Sequence, residues 1–383
     1  MMITAYSVLM AILWCNVFIC IVALIRRRDS FIIHFSIFPL FFLVFASIFR
    51  LLCSIELPIT TVIRSEVILP AVIDSFTKPL VIMGSSDSAV NIATMLIVIW
   101  AGGCFYHIQK YIRSLIRFNK RIANVPGTSE PQILTAVNEI VTESGKSHLV
   151  KIIKSTEVIS PMVTGFFQPV IFLPDIELSD SELKNILLHE WTHFLHKDAW
   201  VKLMMHVILS VFWWNPLIHL LNKDLDHILE IRCDLKLSAQ WDMEKRFYYL
   251  ENITKIIKWA RCKKSLLDTP FHATALISTK RSSKIEQRFN LVLNTELPKQ
   301  YPLPSLLICG LTLLVLGFSY IFVLQPAGFP TTEPGYEDFY MVTPENAYLI
   351  INEDSTYSLY VDGQYKLKLK TIDSEPYLTL PIK

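Results

Sequence analysis

The sequence predicts an integral membrane α-helical protein, with four transmembrane helices, one α+β domain on the inner face and a small β-rich tail outside. Three observations carry that expectation. Of the 383 residues 52% are hydrophobic, more than a soluble fold of this length buries. Four apolar stretches, about 2–25, 31–49, 88–107 and 303–324, are long enough to cross about 30 Å of hydrocarbon as helices. Between the third and fourth lies a long segment of mixed, periodic character.

Basic residues set the expected topology. Arg26-Arg27-Arg28 follows the first apolar stretch instead of preceding it, so that stretch reads as a retained anchor and not as a cleaved leader. Positive-inside bias puts this cluster in the cytoplasm, together with Lys110, Arg113, Arg117, Lys120 and Arg121 after the third stretch. The N-terminus and the loop 54–87 then lie outside, 108–302 is the cytoplasmic domain, 303–324 returns through the membrane, and 325–383 forms an extracytoplasmic tail. The tail carries two alternating runs around Asp362-Gly363, a hairpin signal because the tight turn needs positive φ at its centre. The stretch 201–220 is also apolar, but Lys202, Asn215 and Pro216 interrupt it; it is not counted as a span, although it can lie against the membrane. The stretch 276–288 reads as the most loop-like, basic part of the inner domain, with a second half that could be helical.

Net charge is only +2, which gives no reason to expect direct nucleic-acid binding. Seven cysteines, without a CxxC pair, do not suggest a disulfide framework.

The chemistry is concentrated in His189-Glu190-Trp191-Thr192-His193, inside a helix that Ser179, Asp180 or Ser181 can cap with Glu182 nearby. A spacing of four stacks two imidazoles on one helical face, where they can share a tetrahedral zinc ion, Zn2+, while Glu190 reaches a water in the open position. A third ligand is expected from Asp226, Glu230 and Asp234, which follow at intervals of four on a second helix. Glu230 fits the ligand role, and Asp234 fits that of an acceptor for the free N–H of a ligand imidazole. The bland alternative is a solvated acidic stripe paired with Lys223 or Arg232. Cys233 is the weaker candidate for a fourth ligand. His196 reads as a helix-surface residue or one that supports the metal ligands from behind, His206, His219 and His227 as satisfied or packed histidines, Trp213 and Trp214 as packing or membrane-interface residues, and Asn215-Pro216 as a helix cap and first turn. The run Pro161–Pro174 predicts two short strands, and Val163, Thr164, Gly165, Phe166 and Phe167 are expected to form an edge strand that holds a peptide main chain to main chain.

Four blocks in order carry a resemblance: Pro161–Pro174; the HEWTH segment followed by His196-Lys197-Asp198; Trp214-Asn215-Pro216-Leu217; and Glu230 with Cys233-Asp234. Together they resemble the membrane-integrated zinc metallopeptidases of the bacterial beta-lactam sensor/antirepressor family, of gluzincin type, over roughly 1–325. The resemblance implies a zincin-like α+β domain in which His189, His193 and Glu230 bind zinc and Glu190 is the general base. It also implies signal transduction, with an outside event leading to cleavage of a cytoplasmic regulator, such as a DNA-binding repressor, or of the chain itself. Antibiotic-sensing members carry a large penicillin-binding domain with a Ser-x-x-Lys motif. Residues 325–383 are too few for that domain and lack the motif, so beta-lactam sensing is not expected of them. The expected partners are a protein substrate and the lipid bilayer, and a homodimer stays open. Two other readings compete: a housekeeping membrane-protein peptidase, and a receptor or scaffold with a structural zinc.

Overall fold

A computed structural model describes residues 4–82, 89–123, 125–145, 149–262, 274–275, 282–294, 302–326, 347–352, 356–361, 363–369 and 380–382. Helix α1 (Ala5–Arg26) starts at Thr4, whose side chain accepts from the Ser7 amide in a reciprocal capping box. Helices α2 (Asp29–Phe35) and α3 (Phe38–Leu52) follow, joined at Ser36, which has a φ of 65°. The two are bent by 104°, so the second apolar stretch is a broken pair and not one straight rod.

Next come β1 (Thr61–Ser65), α4 (Ile68–Thr77), β2 (Pro79–Ile82), β3 (Ala89–Asn91) and α5 (Ile92–Ala123). Among the described residues α1 and α5 are each long and apolar enough to cross a membrane, and the bent α2–α3 pair would make a third. The region after α5 contains α6 (Pro131–Glu143), β4 (Lys151–Ser155), β5 (Met162–Thr164), β6 (Val170–Pro174), α7 (Asp180–Leu195), α8 (Asp198–Val211) and α9 (Pro216–Ser238). It continues with α10 (Met243–Cys262), β7 (Thr274–Ala275) and α11 (Ser282–Asn294). Helix α12 (Pro302–Phe318), at 17 residues shorter than α1 and α5, leads to β8 (Phe322–Pro326), which pairs with β1. The stretch read as 276–288 divides: 276–281 lies outside the described residues, and α11 begins at Ser282.

A four-stranded sheet runs in the order β4-β6-β5-β7, with β4 parallel to β6 and the other pairs antiparallel. The β5–β6 turn depends on Gly165, whose φ is +104°; a Cβ there would meet the Gln168 carbonyl oxygen at 2.0 Å. The expected strand over 163–167 therefore stops at Thr164, and Phe166 and Phe167 belong to the turn.

Two apolar cores meet along α9. The first packs Ile152, Val163 and Ile171 of the sheet against Ile133 and Val137 of α6, Leu187 and Trp191 of α7 and Ile253 of α10. The second joins Phe18 and Ile19 of α1 to Leu40 and Val44 of α3, Met205 and Ile208 of α8, and Ile218, Leu221 and Leu225 of α9. Full burial of one such side chain is worth about 1.5–3 kcal/mol. Further along α9, Cys233 and Leu237 cross into the first core, so one helix ties the apolar bundle to the sheet domain.

Residues 66–78 and 326–383 form a separate compact unit. It contains α4 and an antiparallel sheet of β9 (Ala347–Ile351), β10 (Tyr357–Val361) and β11 (Gln364–Leu369), ordered β11-β10-β9. Ala347, Leu349, Leu359 and Val361 alternate along the strands and bury one face. Val361 pairs with Gln364 around the turn, where Gly363 has a φ of +78°, while Asp362 lies outside the described residues.

Candidate metal centre

Ser179 caps α7: its hydroxyl accepts from the Glu182 amide at 3.3 Å, and Glu182 accepts from the Ser179 amide at 2.8 Å. Lys255 fixes the same carboxylate at 2.8 Å. With the apolar side of α7 packed on the sheet domain, the face bearing His189 and His193 is buried against α9.

The two Nε2 atoms lie 3.1 Å apart. Glu230 places Oε2 at 3.6 Å from His189 Nε2 and Oε1 at 3.6 Å from His193 Nε2. Donors about 2.0–2.1 Å from one tetrahedral ion are about 3.3 Å apart, so this triangle fits a single small cation. Cys233 lies close to both histidines as well, and the donor atoms of the three lie within 4.8 Å of one another. Its Sγ, however, is 3.6 Å from His189 Nδ1, on the far side of that ring, and donates to the His189 carbonyl at 3.4 Å. Burial pushes its thiol well above the usual range, which keeps it protonated.

The histidines are oriented from behind. His193 Nδ1 donates to Asp198 Oδ2 at 2.6 Å, and Asp198 also pairs with Arg232. Asp234 reaches His189 through an intermediary. Tyr249 Oη lies 2.8 Å from His189 Nδ1 and donates to Asp234 Oδ1 at 2.7 Å, whereas Asp234 itself is 3.6 Å from that nitrogen. Arg288 closes the ring, with Nε and Nη2 on Asp234 at 2.6 and 3.0 Å and Nη1 on Glu230 Oε2 at 3.0 Å. Burial alone would raise the Glu230 carboxyl, yet Arg288 and the two histidines hold it far below the ordinary range. His189 is shifted down, chiefly by burial, and so favours the neutral form a metal ligand needs.

Glu190 is fully buried, and neither carboxylate oxygen completes a hydrogen bond of ordinary geometry among the described residues. Burial and then the like charge of Glu230 push its carboxyl well above the usual range, against the opposing influence of Lys202, the Val163 amide and Arg288. That direction suits a proton acceptor working near neutrality.

Other sequence candidates fall elsewhere. Asp226 is the half-buried end of the acidic stripe, 3.8 Å from Lys202. Arg232 serves Asp198 and not the stripe. His206 stacks on Tyr111, His219 bonds the Trp213 carbonyl and His227 bonds Gln287. The edge read as a peptide dock is already occupied at Met162 and Val163 by the chain's own β7, paired antiparallel through Ala275 and Thr274. Next to it, Phe166 and Phe167 pack on Trp200, and Phe166 and Trp200 border a small recess with His193 and Lys197. Asp198, Tyr249 and Arg288 were missed as site residues. Asp198 follows His193 by five, a readable offset, whereas nothing local marks the other two.

Paired histidines one helical turn apart, a carboxylate from a second helix and flanking apolar helices of membrane-crossing length make a candidate metal centre beside membrane-crossing helices, an arrangement of the membrane-associated peptidase families. Comparison with known proteins makes the assignment specific. The chain belongs to the BlaR1 peptidase M56 family, whose model matches residues 2–292. It is similar to the regulatory protein BlaR1 of Bacillus licheniformis, 27% identical over 183 residues, which cover 47% of this chain and 30% of that one. The methicillin resistance MecR1 protein of Staphylococcus aureus strain Mu50 is 26% identical over 187 residues, 47% of this chain and 31% of that one. BlaR1 of Staphylococcus aureus is 23% identical over 238 residues, 60% and 38% of the two chains. The chain thus spans about a third of the length of these curated relatives.

Proposed function

We propose that this membrane protein is a zinc metalloendopeptidase of signal transduction, in which His189, His193 and Glu230 hold Zn2+ and Glu190 is the general base. The observation that carries the reading is the approach of both Nε2 atoms and the Glu230 carboxylate to within 3.1–3.6 Å, beside a buried Glu190 whose oxygens complete no hydrogen bond of ordinary geometry among the described residues. When bound, zinc supplies a lowered pKa for water and polarises the substrate carbonyl. Asp198 and the Tyr249–Asp234 pair hold the imidazoles in the tautomer that turns Nε2 to the centre. Arg288 keeps Glu230 ionised. Glu190 takes a proton from the attacking water and returns it to the leaving amine, a task its raised pKa serves.

The substrate is a cytoplasmic regulator, with a DNA-binding repressor as the first candidate, and the chain itself. The names of the relatives, regulatory and resistance proteins, support the signalling role. The seating of β7 on β5 supports self-processing, since β5 contributes the Val163 amide that faces Glu190. In this reading four spans put 108–302 in the cytoplasm and the N-terminus and 325–383 outside, where the tail senses the stimulus.

Comparing Glu190→Gln with His189→Ala tests the assignment. Glu190→Gln is expected to lower cleavage by about 10²–10⁴-fold with zinc content unchanged, while His189→Ala loses zinc as well. Equal zinc loss in both, measured by mass spectrometry of the purified protein, would make the metal structural.

A further inference from the structure

We infer that α8 and α9 form a re-entrant hairpin, entering the membrane from the face that carries Arg26 and Lys110, with its tip at 212–215 near the mid-plane and Met204, Val207 and Trp214 against acyl chains.

Two independent registers fix the depth. On α1, Asn16 accepts from Asn215 Nδ2 at 2.9 Å, and Arg26 pairs with Asp224 at 2.9 Å, so the start of α9 runs alongside the last ten or so residues of α1. At 1.5 Å per residue, Asn16 lies ~15 Å above the level of Arg26, half of a ~30 Å hydrocarbon layer. Helix α5 gives the same answer from the other side. Its Trp100 Nε1 donates to the Val211 carbonyl at 2.8 Å, and Tyr111 stacks on His206, so α8 descends antiparallel to α5. Trp100 is again ~15 Å from the first basic residue, Lys110. Close approach is built in: a Cβ on Gly103 would sit 2.3 Å from the Trp213 ring.

The turn is finished for an environment without water. A helix C-terminus leaves carbonyls that in solution would bond to solvent. Here Val211 is served by the Trp100 indole, Phe212 by the Asn215 amide at 2.9 Å and Trp213 by His219 at 2.9 Å. Asn215 spends its oxygen on the Leu217 amide at 3.0 Å and its nitrogen on Asn16. Lys202, at the shallow end, reaches Asp226. The large apolar side chains face outward, Val207 at 54% and Trp214 at 49% exposure, and the one exposed polar ring beside the tip, His219, is bonded to the Trp213 carbonyl.

One consequence rests on the peptidase reading. Helix α8 has 14 residues, ~21 Å, so Asp198 and its partner His193 sit only ~6 Å outside the hydrocarbon, at headgroup level. Substrates are then segments that lie along the membrane surface.

The test reads depth and not proteolysis. A nitroxide carried on a keto amino acid, which bypasses the native cysteines, is placed singly at 98, 207, 214 or 247 of the full chain in phosphatidylcholine/phosphatidylglycerol vesicles. Its collision rates with oxygen and with a nickel chelate are then compared. Position 98 on α5 is the span reference, and 247, on exposed Phe247 of α10, is the aqueous one. The expected oxygen-to-nickel ratio is several-fold higher at 207 than at 247 and higher again at 214, approaching 98. Equal ratios at 207, 214 and 247 overturn the proposal. Equal shallow values at 207 and 214, both above 247, also overturn it, because the hairpin would then lie flat on the surface. Gly103→Leu, which removes the space for Trp213, is expected to move the 214 label toward nickel; no movement in a variant with normal zinc content counts against the hairpin packing described.

Discussion

The metal centre and the tip of the α8–α9 hairpin both bury polar groups, and they treat them in opposite ways. At the tip each polar group described has a neutral partner, with side-chain amide to side-chain amide and indole to carbonyl. The centre instead gathers four buried carboxylates, Glu190, Asp198, Glu230 and Asp234, around two imidazoles and the Arg288 guanidinium, and among the described residues it leaves the Glu190 oxygens without a hydrogen bond of ordinary geometry. The tip is built to be stable where no water reaches. The centre keeps acceptor capacity in reserve, at a cost in stability, and a reserve of that kind marks a place of chemistry more reliably than burial does.

The contrast can be broken by substitution. Arg288→Met strips the only guanidinium bonded to both Glu230 and Asp234 among the described residues and is expected to cost about 3–5 kcal/mol, read as a fall in the thermal midpoint of the detergent-purified protein. Adding Asp234→Leu should recover part of that loss. Asn215→Ala at the tip should cost only ~1–2 kcal/mol, the worth of a cap and one interhelical hydrogen bond. If Asn215→Ala proved the more damaging of the two, the contrast between centre and tip would fail.

Asp198→Asn sharpens the comparison from within the centre. The orienting bond to His193 weakens without a change of shape, so zinc affinity is expected to fall about 10–100-fold in chelator competition, with the fold intact. Unchanged affinity would reduce Asp198 to a partner for Arg232.

The smallest effect belongs to His196, half-buried at the end of α7. Burial first, then Arg232, lowers its pKa from 6.5 to about 4. The folded state therefore binds this proton less readily than the unfolded one, and stability drains away as pH falls from about 6.5 towards 4. His196→Gln should make the fall in thermal midpoint shallower over that window, modestly because solvent screens the group. Parallel curves for the two proteins would remove His196 from the account.

Much of the centre was readable because its parts are periodic. His189 and His193 are one helical turn apart, and Glu230 and Asp234 share a face, so helix geometry alone aligns them. Asn215-Pro216 was readable for the same local reason, as cap and first turn. Tyr249 and Arg288 were not, because each enters from another helix and its role depends on tertiary packing. Nor was the seating of β7: a two-residue strand carries no pattern, and only the sheet reveals that the edge at Val163 is taken. The expected strand to Phe167 failed on the backbone requirement of Gly165, since an apolar run says nothing about where a chain must turn.

The ring through Arg288 also sets a schedule for biosynthesis. Asp234 and Glu230 leave the ribosome first, and their guanidinium follows 54 residues after Asp234, roughly 3–10 s later at about 5–20 residues per second. Until then two carboxylates destined for one dry interior have no common counter-charge, and the α7–α9 interface cannot close around them. The neighbouring Gln287 adds a second condition, because its amide docks on Arg26 and Asp29, more than 250 residues earlier in the chain. A nascent chain stalled before α11 therefore lacks the ring through Arg288: the candidate centre is completed only once α11 has been synthesised and joined to α1 and α9.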